Sequence, residues 1–203
     1  MQLTQSIMNK YKIIYADSPW LYEGKNSPRY GGASYPCMTD EELKELPIYL
    51  LTDKNCILFF WATYPVLKRA FEIIESWGFK YKTCAFVWIK SNRKSGTFYS
   101  GLGHWTNQNS ELCLLATKGR PKRIRKNVKQ IIVAPLTRHS AKPPEIRDRI
   151  VELMGDVPRI ELFARERVLG WDSLGNDIDG LDIRQSLHLI NVCQLIKSNQ
   201  VNK

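Results

Sequence analysis

Residues that commonly hold a structural metal are scarce in this sequence. Its three histidines neighbour neither a cysteine nor one another, and its five cysteines are widely spaced with no Cys-X-X-Cys pair. Structural zinc sites need clustered ligands of these types, so we expect no metal. Cys56, Cys84 and Cys113 lie inside apolar runs and are expected to be buried, reduced thiols.

Long apolar runs and targeting segments are absent as well. No run reaches the roughly 20 apolar residues of a membrane span. The N-terminus, MQLTQSIMNK, lacks the basic start and apolar core of a secretory signal. The 203 residues are 43% hydrophobic and 25% charged, which is ordinary for one globular domain. We therefore expect an intracellular protein without a membrane partner.

Apolar strand patterns alternate with amphipathic helix patterns along the chain. Continuous apolar runs such as CILFFWA are typical of strands buried on both faces. This alternation predicts an α/β domain with a largely parallel sheet over residues 12–183, between an N-terminal segment (1–11) and a C-terminal helix or tail (184–203). The predicted strands are 12–16, 56–62, 83–90, 111–117, 129–135 and 159–164, and the predicted helices are 40–46, 64–78, 142–155 and 184–197.

A polar segment, DSPW, directly follows the first predicted strand, and residues 164–177 follow the last one. Ligands of parallel α/β sheets bind at this edge. Asp17 and the backbone carbonyl of Ser18 offer acceptors, Pro19 restricts the backbone, and Trp20 offers a flat face. Such a group suits an aromatic amine, although four residues taken alone fit an ordinary turn with a buried tryptophan better.

Positive charge is concentrated in one stretch of the chain. The net charge is +10, and KGRPKRIRKNVK, residues 118–129, carries seven Lys or Arg and no acid. Taken alone, this basic run fits a solvated loop and a polyanion-binding surface about equally well. The polar, glycine-rich residues 91–110 form a second long loop, and loops of this length are usually functional or mobile.

Many blocks of the sequence, in their order, resemble one known family. They are DSPW (17–20), YPCMTDEEL (35–43), ILFFWAT (57–63), WGFK (77–80), VWIKSN (87–92), GHWTNQNSELCLLATKGRP (103–121), SAKPPEIRDRI (140–150), RIELFARE (159–166) and GWDSLGND (170–177). The chain resembles the family of the eukaryotic mRNA adenosine N6-methyltransferase catalytic subunit (MT-A type) and its bacterial and phage relatives, from about residue 12 to about residue 180.

This resemblance implies a Rossmann-like methyltransferase fold that uses S-adenosylmethionine (SAM), with helices on both faces of the sheet. It also implies a permuted order, with the catalytic motif first and the cofactor-binding strand last. That order explains why no Gly-X-Gly-X-X-Gly follows the first strand. The bacterial and phage relatives favour a bacterial or phage-infected cell as the setting.

The implied reaction is attack of the adenine N6 amine on the methyl group of SAM. Asp17 and the Ser18 carbonyl accept the two N–H bonds of the amine, which localises its lone pair and stabilises the positive charge that develops. Trp20 is expected to stack on the base, and Pro19 completes the motif. The family usually has Asp-Pro-Pro-Trp, so Ser18 keeps the carbonyl and lacks the rigidity of proline.

The resemblance also implies cofactor contacts. Lys142 matches the lysine that meets the SAM carboxylate, whereas the residue alone fits a solvent-exposed lysine at a helix start. Arg165 and Asn176 match positions near the ribose, Glu161 matches a residue of the neighbouring strand, and Asp177 stands where a ribose-hydroxyl partner is expected. The predicted cofactor contacts are Asp17, Lys142, Glu161, Arg165, Asn176 and Asp177.

Nucleic-acid contacts are expected from aromatic and basic residues. Tyr35 and Trp61 are aromatic candidates, although core packing is favoured for Trp61 because it lies in an apolar strand. The 91–110 loop, with Lys90 and His104, suits contact with the target, or dimer formation with a second copy or a related subunit. Phosphate contacts are expected from Lys122, Arg123, Arg125 and Lys126.

The leading hypothesis is a SAM-dependent DNA adenine N6-methyltransferase. RNA adenosine methylation is the second hypothesis, and a non-catalytic, nucleic-acid-binding partner subunit is the third. Retention of Asp17, Pro19 and Trp20 disfavours the third. Cytosine N4 transfer uses a similar amine pocket, but aspartate at the first position of the motif favours adenine.

Overall fold

One sheet organises the molecule. The computed structural model describes residues 10–22, 36–103, 105–137 and 141–201. In these ranges seven strands lie in the order β5-β3-β4-β2-β1-β6-β7. They are β1 (Tyr11–Ala16), β2 (Thr52–Ala62), β3 (Lys80–Ser91), β4 (Glu111–Lys118), β5 (Ile131–Pro135), β6 (Arg159–Leu162) and β7 (Asp172–Leu174). Only β4 runs antiparallel to its neighbours, β2 and β3, so the mostly parallel α/β sheet is confirmed.

Helices follow most of the strands. The helices of the described ranges are α1 (Asp40–Lys44), α2 (Leu67–Ser76), α3 (Glu145–Met154), α4 (Asn176–Asp179) and α5 (Ile183–Val201). A capping box starts α1, because the Thr39 hydroxyl accepts from the Glu42 N–H and the Glu42 carboxylate accepts from the Thr39 N–H. The helix predicted over 64–78 is instead a 3₁₀ turn (Tyr64–Val66) followed by α2. A second 3₁₀ turn spans Ile48–Leu50.

Both faces of the sheet are covered, as the resemblance implies. On one face Leu43 of α1, Ile74 of α2 and Leu187 of α5 pack in one core cluster. On the other face Ile146 and Ile150 of α3 pack against buried strand residues. This double covering explains why the strands read as unbroken apolar runs rather than as alternating patterns.

The C-terminal helix belongs to the same core as the rest of the chain. Ile183, Leu187 and Ile190 of α5 are each at most 2% exposed. The predicted helix over 184–197 is therefore present and somewhat longer, and its first half packs on the domain. Within the described residues, no helix is long and apolar enough to cross a membrane.

Two short elements near the C-terminal end were not predicted. The strand β7 has three residues, DSL, and α4 has four, NDID. Neither is long enough to show a strand or helix period in the sequence. Both depend on tertiary partners, since β7 pairs with β6 and α4 follows directly after it.

The reversed strand β4 places its two flanking loops at opposite edges of the sheet. Six strands end at one edge, which we call the carboxyl edge, and the other is the amino edge. On β4, Leu112 pairs with Ala62 near the carboxyl edge and Lys118 pairs with Cys56 toward the amino edge. The 91–110 loop therefore enters β4 at the carboxyl edge, and the basic run 118–129 leaves it at the amino edge.

Candidate active site at the carboxyl edge

A cavity opens where β1 and β6 end side by side. Ala16 pairs with Leu162, so the segments that follow the two strands face each other. The cavity has a volume of about 320 Å³, which lies within the range of small-molecule sites. Its lining residues are Asp17, Ser18, Pro19, Pro36, Phe163, Ala164, Arg165, Asn176 and Asp177.

A chain of alternating charges runs inward from Asp17. The Lys142 ammonium lies 2.7 Å from the Asp17 carboxylate and 3.2 Å from the Glu111 carboxylate. The second oxygen of Glu111 lies 2.6 Å from the Lys90 ammonium. The side chain of Lys142 is only 11% exposed, so the alternative of a solvent-exposed lysine is wrong. A buried cation between two carboxylates fixes the position of Asp17 at the cavity wall.

Burial and the neighbouring charges shift the pKa values of three members of this chain. Burial acts to lower the pKa of Lys142, but Asp17 and Glu111 outweigh it and hold that pKa above the ordinary value. Burial acts to raise the pKa of Glu111, but Lys142 and Lys90 hold it below the ordinary value. For Asp17, burial prevails and raises the pKa, although Lys142 opposes the shift. Asp17 is thus the carboxylate of the chain whose pKa lies above its ordinary value, whereas the pKa of Glu111 lies below its own.

Two tryptophans support the buried cations. The Lys142 ammonium lies 5.4 Å from the centre of the Trp61 ring, and the Lys90 ammonium lies 5.3 Å from that of Trp88. Trp61 is 1% exposed and donates a 2.8 Å hydrogen bond from Nε1 to the Tyr15 hydroxyl. Trp61 therefore packs in the core, as the packing alternative expected, and presents no free face to a base in this structure.

The turn after Asp17 is stabilised by its own backbone. The Ser18 carbonyl accepts from the Trp20 N–H at 2.9 Å, and the Pro19 carbonyl accepts from the Met38 N–H at 2.8 Å. A carbonyl has two lone pairs, so the Ser18 oxygen keeps one for a substrate N–H. The Ser18 hydroxyl is buried and has no hydrogen-bond partner in the described part of the chain.

Trp20 occupies a different place from the one expected. It is 5% exposed, and its ring centre lies 5.6 Å from that of Phe60 in an edge-to-face arrangement. The Arg69 guanidinium lies 5.8 Å from the centre of the Trp20 ring. The structure does not support stacking of Trp20 on a target base, because its faces are already covered. Its apolar bulk instead anchors the turn that carries Asp17.

The far wall of the cavity comes from the end of the chain. Asn176 and Asp177 begin α4 and have exposed side chains, and Arg165 lines the same cavity. Glu161 is buried on β6, where its carboxylate accepts from Arg147 at 2.7 and 3.0 Å. Its carboxylate is thus held by an ion pair just behind the cavity.

Tight backbone geometry shapes that wall. Phe163 has a φ of 58°, the one positive φ of a non-glycine residue in the described ranges. The Ala164 N–H donates to the Leu174 carbonyl at 2.9 Å. At Gly175 a Cβ atom would lie 2.2 Å from the Ala164 oxygen, so only glycine fits. Backbone strain of this kind concentrates at ligand sites.

The residues present fit SAM. The molecule carries a carboxylate, an ammonium, a sulfonium and two ribose hydroxyls. Asn176 and Asp177 offer acceptors for hydroxyl groups, and Asp17 offers a further acceptor on the same cavity lining. Lys142 and Arg165 supply positive charge close to Asp17. We retain these residues as the predicted cofactor contacts.

Several predicted substrate contacts lie away from the cavity. Lys90 forms an ion pair with Glu111 and its side chain is only 15% exposed, so it is poorly placed to contact a target. The basic residues Lys122, Arg123, Arg125 and Lys126 follow β4 at the amino edge, opposite the cavity. The expectation that they contact phosphates stays a prediction. Tyr35 and His104 lie outside the described residues.

Sequence reasoning missed Glu111, Arg147 and Tyr15. Glu111 showed one usable signal, an acid at the very start of an apolar strand that follows a long loop. Arg147 showed none, because a charged residue on an amphipathic helix is ordinarily solvated. The Tyr15 hydroxyl was hidden in an apolar run, yet it accepts from Trp61 directly behind Asp17.

Comparisons with known proteins agree with this geometry. Residues 11–177 match the family model described as MT-A70. The chain is 35% identical over 189 residues to the Type II methyltransferase M.MunI of a Mycoplasma species, covering 83% of this chain and 78% of that protein. It is 31% identical over 185 residues to the human N(6)-adenosine-methyltransferase catalytic subunit METTL3, covering 89% of this chain but 30% of METTL3.

The fold and the cavity together define a Rossmann-like methyltransferase with SAM as its cofactor. The segments expected to carry catalysis and cofactor binding lie near opposite ends of the chain and meet because β1 pairs with β6. The chain belongs to the MT-A70 family.

Proposed function

We propose that this protein transfers a methyl group from SAM to the N6 amine of adenine in DNA. The observation that carries the proposal is the Asp17 carboxylate, held by Lys142 at 2.7 Å on the wall of the cofactor-sized cavity. The similarity to a Type II methyltransferase, which extends over 78% of that relative, supports DNA.

The residues of the site act on the amine through hydrogen bonds. SAM supplies an electrophilic methyl group. Asp17 and the free lone pair of the Ser18 carbonyl accept hydrogen bonds from the two N–H groups of the N6 amine, so the nitrogen lone pair points toward the methyl carbon. Positioning of this kind can supply up to roughly 7–11 kcal/mol of the barrier reduction. Formation of the N6–methyl bond would break the S–methyl bond of SAM and leave S-adenosylhomocysteine, and the surplus proton on N6 would leave by way of the Asp17 carboxylate or water.

Lys142 has two tasks in this proposal. It opposes the burial that raises the pKa of Asp17, and its third N–H remains available because two carboxylates take the others. That remaining donor suits the SAM carboxylate. One lysine would then join the position of the cofactor to that of the base-holding aspartate.

RNA is the second candidate substrate. The similarity to METTL3, an N(6)-adenosine-methyltransferase, covers 89% of this chain. The basic run is expected to contact phosphates, and phosphate contacts do not distinguish DNA from RNA. Methyl-labelled SAM should be incubated with duplex DNA, single-stranded DNA and RNA, followed by digestion to nucleosides. We expect N6-methyladenine from DNA. Label in RNA alone would replace the DNA proposal, and label in cytosine would replace the adenine assignment.

Asp17→Ala tests the central residue. We expect methyl transfer to fall by at least about 100-fold, because the variant loses a preorganised acceptor of the developing charge. Binding of S-adenosylhomocysteine, measured by calorimetry, should largely persist. Asp156→Ala, which removes an 87% exposed carboxylate far from the cavity, is the matched control. Full activity of Asp17→Ala would refute the assignment, and no transfer by the unaltered protein would favour a partner subunit.

A further inference from the structure

The amino edge carries a dense basic surface far from the cavity. Seven residue steps separate Glu111, which contacts Lys142, from Lys118 at the other end of β4. At about 3.4 Å a step this is about 24 Å. We call the exposed cations that follow the far-edge surface; they are Arg120, Lys122, Arg123, Arg125, Lys126 and Lys129.

The backbone of this surface is held to the body of the protein. The Ile124 and Arg125 N–H groups both donate to the Leu153 carbonyl, at 2.8 and 3.3 Å, at the end of α3. The Arg120 N–H donates to the Asn55 side chain at 2.8 Å. The Lys129 carbonyl accepts from Arg149 at 2.8 Å. A loop held at its two ends and its middle keeps the backbone positions of its cations together, which a freely moving loop does not do.

The cations of the far-edge surface are unpaired. Across the described ranges, no side chain of the six forms an ion pair with an acid, whereas Arg147 and Arg159 both do. Like charges fixed side by side repel one another, and a polyanion relieves that repulsion by displacing counterions. Cations carried on a held segment of backbone lose less conformational entropy on binding than cations on a freely moving loop.

We propose that the far-edge surface is a second docking site, for the phosphate backbone of a polynucleotide whose target base lies in the cavity. The proposal rests on the proposed function for the identity of that polynucleotide. On a straight duplex, about 24 Å corresponds to roughly seven base pairs. The surface should therefore strengthen binding only of substrates that extend at least that far beyond the target adenine.

The test compares substrate length with charge removal. Binding of fluorescent duplexes of about 10 and about 40 base pairs, each with a central adenine, is measured by anisotropy with S-adenosylhomocysteine present. For Arg123→Ala/Arg125→Ala we expect the Kd of the long duplex to rise about tenfold or more and its salt slope to fall by about two. The Kd of the short duplex should stay unchanged. RNA of the same two lengths tests the alternative polynucleotide.

Arg93→Ala/Lys94→Ala is the matched control, because it removes two exposed cations from the loop at the carboxyl edge. Whatever its effect, it should be equal for both lengths. If Arg123→Ala/Arg125→Ala weakens both lengths equally, or neither, the second site is refuted. Binding is measured without methyl transfer, so length-dependent binding by an inactive protein would preserve the docking site and reject the methyltransferase function.

Discussion

Lys142 is central to the chemistry of the site. It holds the Asp17 carboxylate in place and opposes the burial that raises the pKa of Asp17. The raised pKa of Lys142 means that its stabilising charge is present at neutral pH and is lost only as strongly alkaline pH passes the folded-state pKa. For Asp17 a raised pKa has the opposite consequence, because a carboxyl group is charged above its pKa and not below it. Its pKa is raised, so its ionised form is lost as pH falls, earlier than for an ordinary aspartate.

Lys142→Met should therefore move the acid limb of activity. Lys142→Met removes the positive charge and the hydrogen bond that most strongly lower the pKa of Asp17, so burial raises that pKa further. We expect the acid limb of the kcat/KM profile, measured with saturating SAM, to shift to higher pH. Lys142→Arg keeps the positive charge and should leave the limb close to its original position. An unmoved limb in Lys142→Met would show that a group other than Asp17 titrates.

Ser18 tests whether its side chain or its backbone matters. Its hydroxyl is buried without a partner, and such a group costs about 1–3 kcal/mol. Ser18→Ala keeps the carbonyl and removes that cost, so thermal unfolding should show unchanged or increased stability, by about 1 kcal/mol. kcat should change by only a few-fold. A large loss of kcat would instead show that the hydroxyl contacts the reacting groups.

At the scale of elements, the short pairing of β7 with β6 shapes the cavity wall. Gly175→Ala places a Cβ atom 2.2 Å from the Ala164 oxygen and must displace the wall. We expect a loss of about 1–3 kcal/mol of stability and at least a tenfold rise in the Kd for S-adenosylhomocysteine. Gly180→Ala is the control: its φ of 71° strains an alanine, but the added Cβ meets no atom within 4 Å. Equal Kd values for both variants would refute the role of Gly175.

The long elements could be predicted from the sequence, whereas the contacts between them could not. Apolar runs indicated β1 to β6 because buried strands need little else. The pairing of Glu111 with both Lys142 and Lys90 depends on strand order, which no local pattern reveals. The same holds for the basic run, since only the reversed direction of β4 places it at the amino edge.

At the scale of the whole molecule, the 91–110 loop carries three strongly exposed large apolar side chains among its described residues. Phe98, Leu102 and Trp105 are 68%, 98% and 99% exposed. Exposed apolar clusters mark contact sites, and dimer formation through this loop stays a prediction. We expect concentration-dependent self-association in sedimentation velocity, weakened by Trp105→Ser. Leu195→Ser, at a residue 56% exposed on α5, is the control. A monomer at all concentrations would leave the loop to contact the target alone.

The reversal of β4 also affects how such proteins can diverge. The two loops that flank this one strand lie at opposite edges of the sheet. Each loop can therefore lengthen by insertion or shorten by deletion without moving the other. Neither change touches the strand ends that hold Asp17 and Asp177. A lineage built on this fold can therefore acquire new docking partners through loop-length changes at either end of a single strand, while the methyl-transfer chemistry is inherited intact.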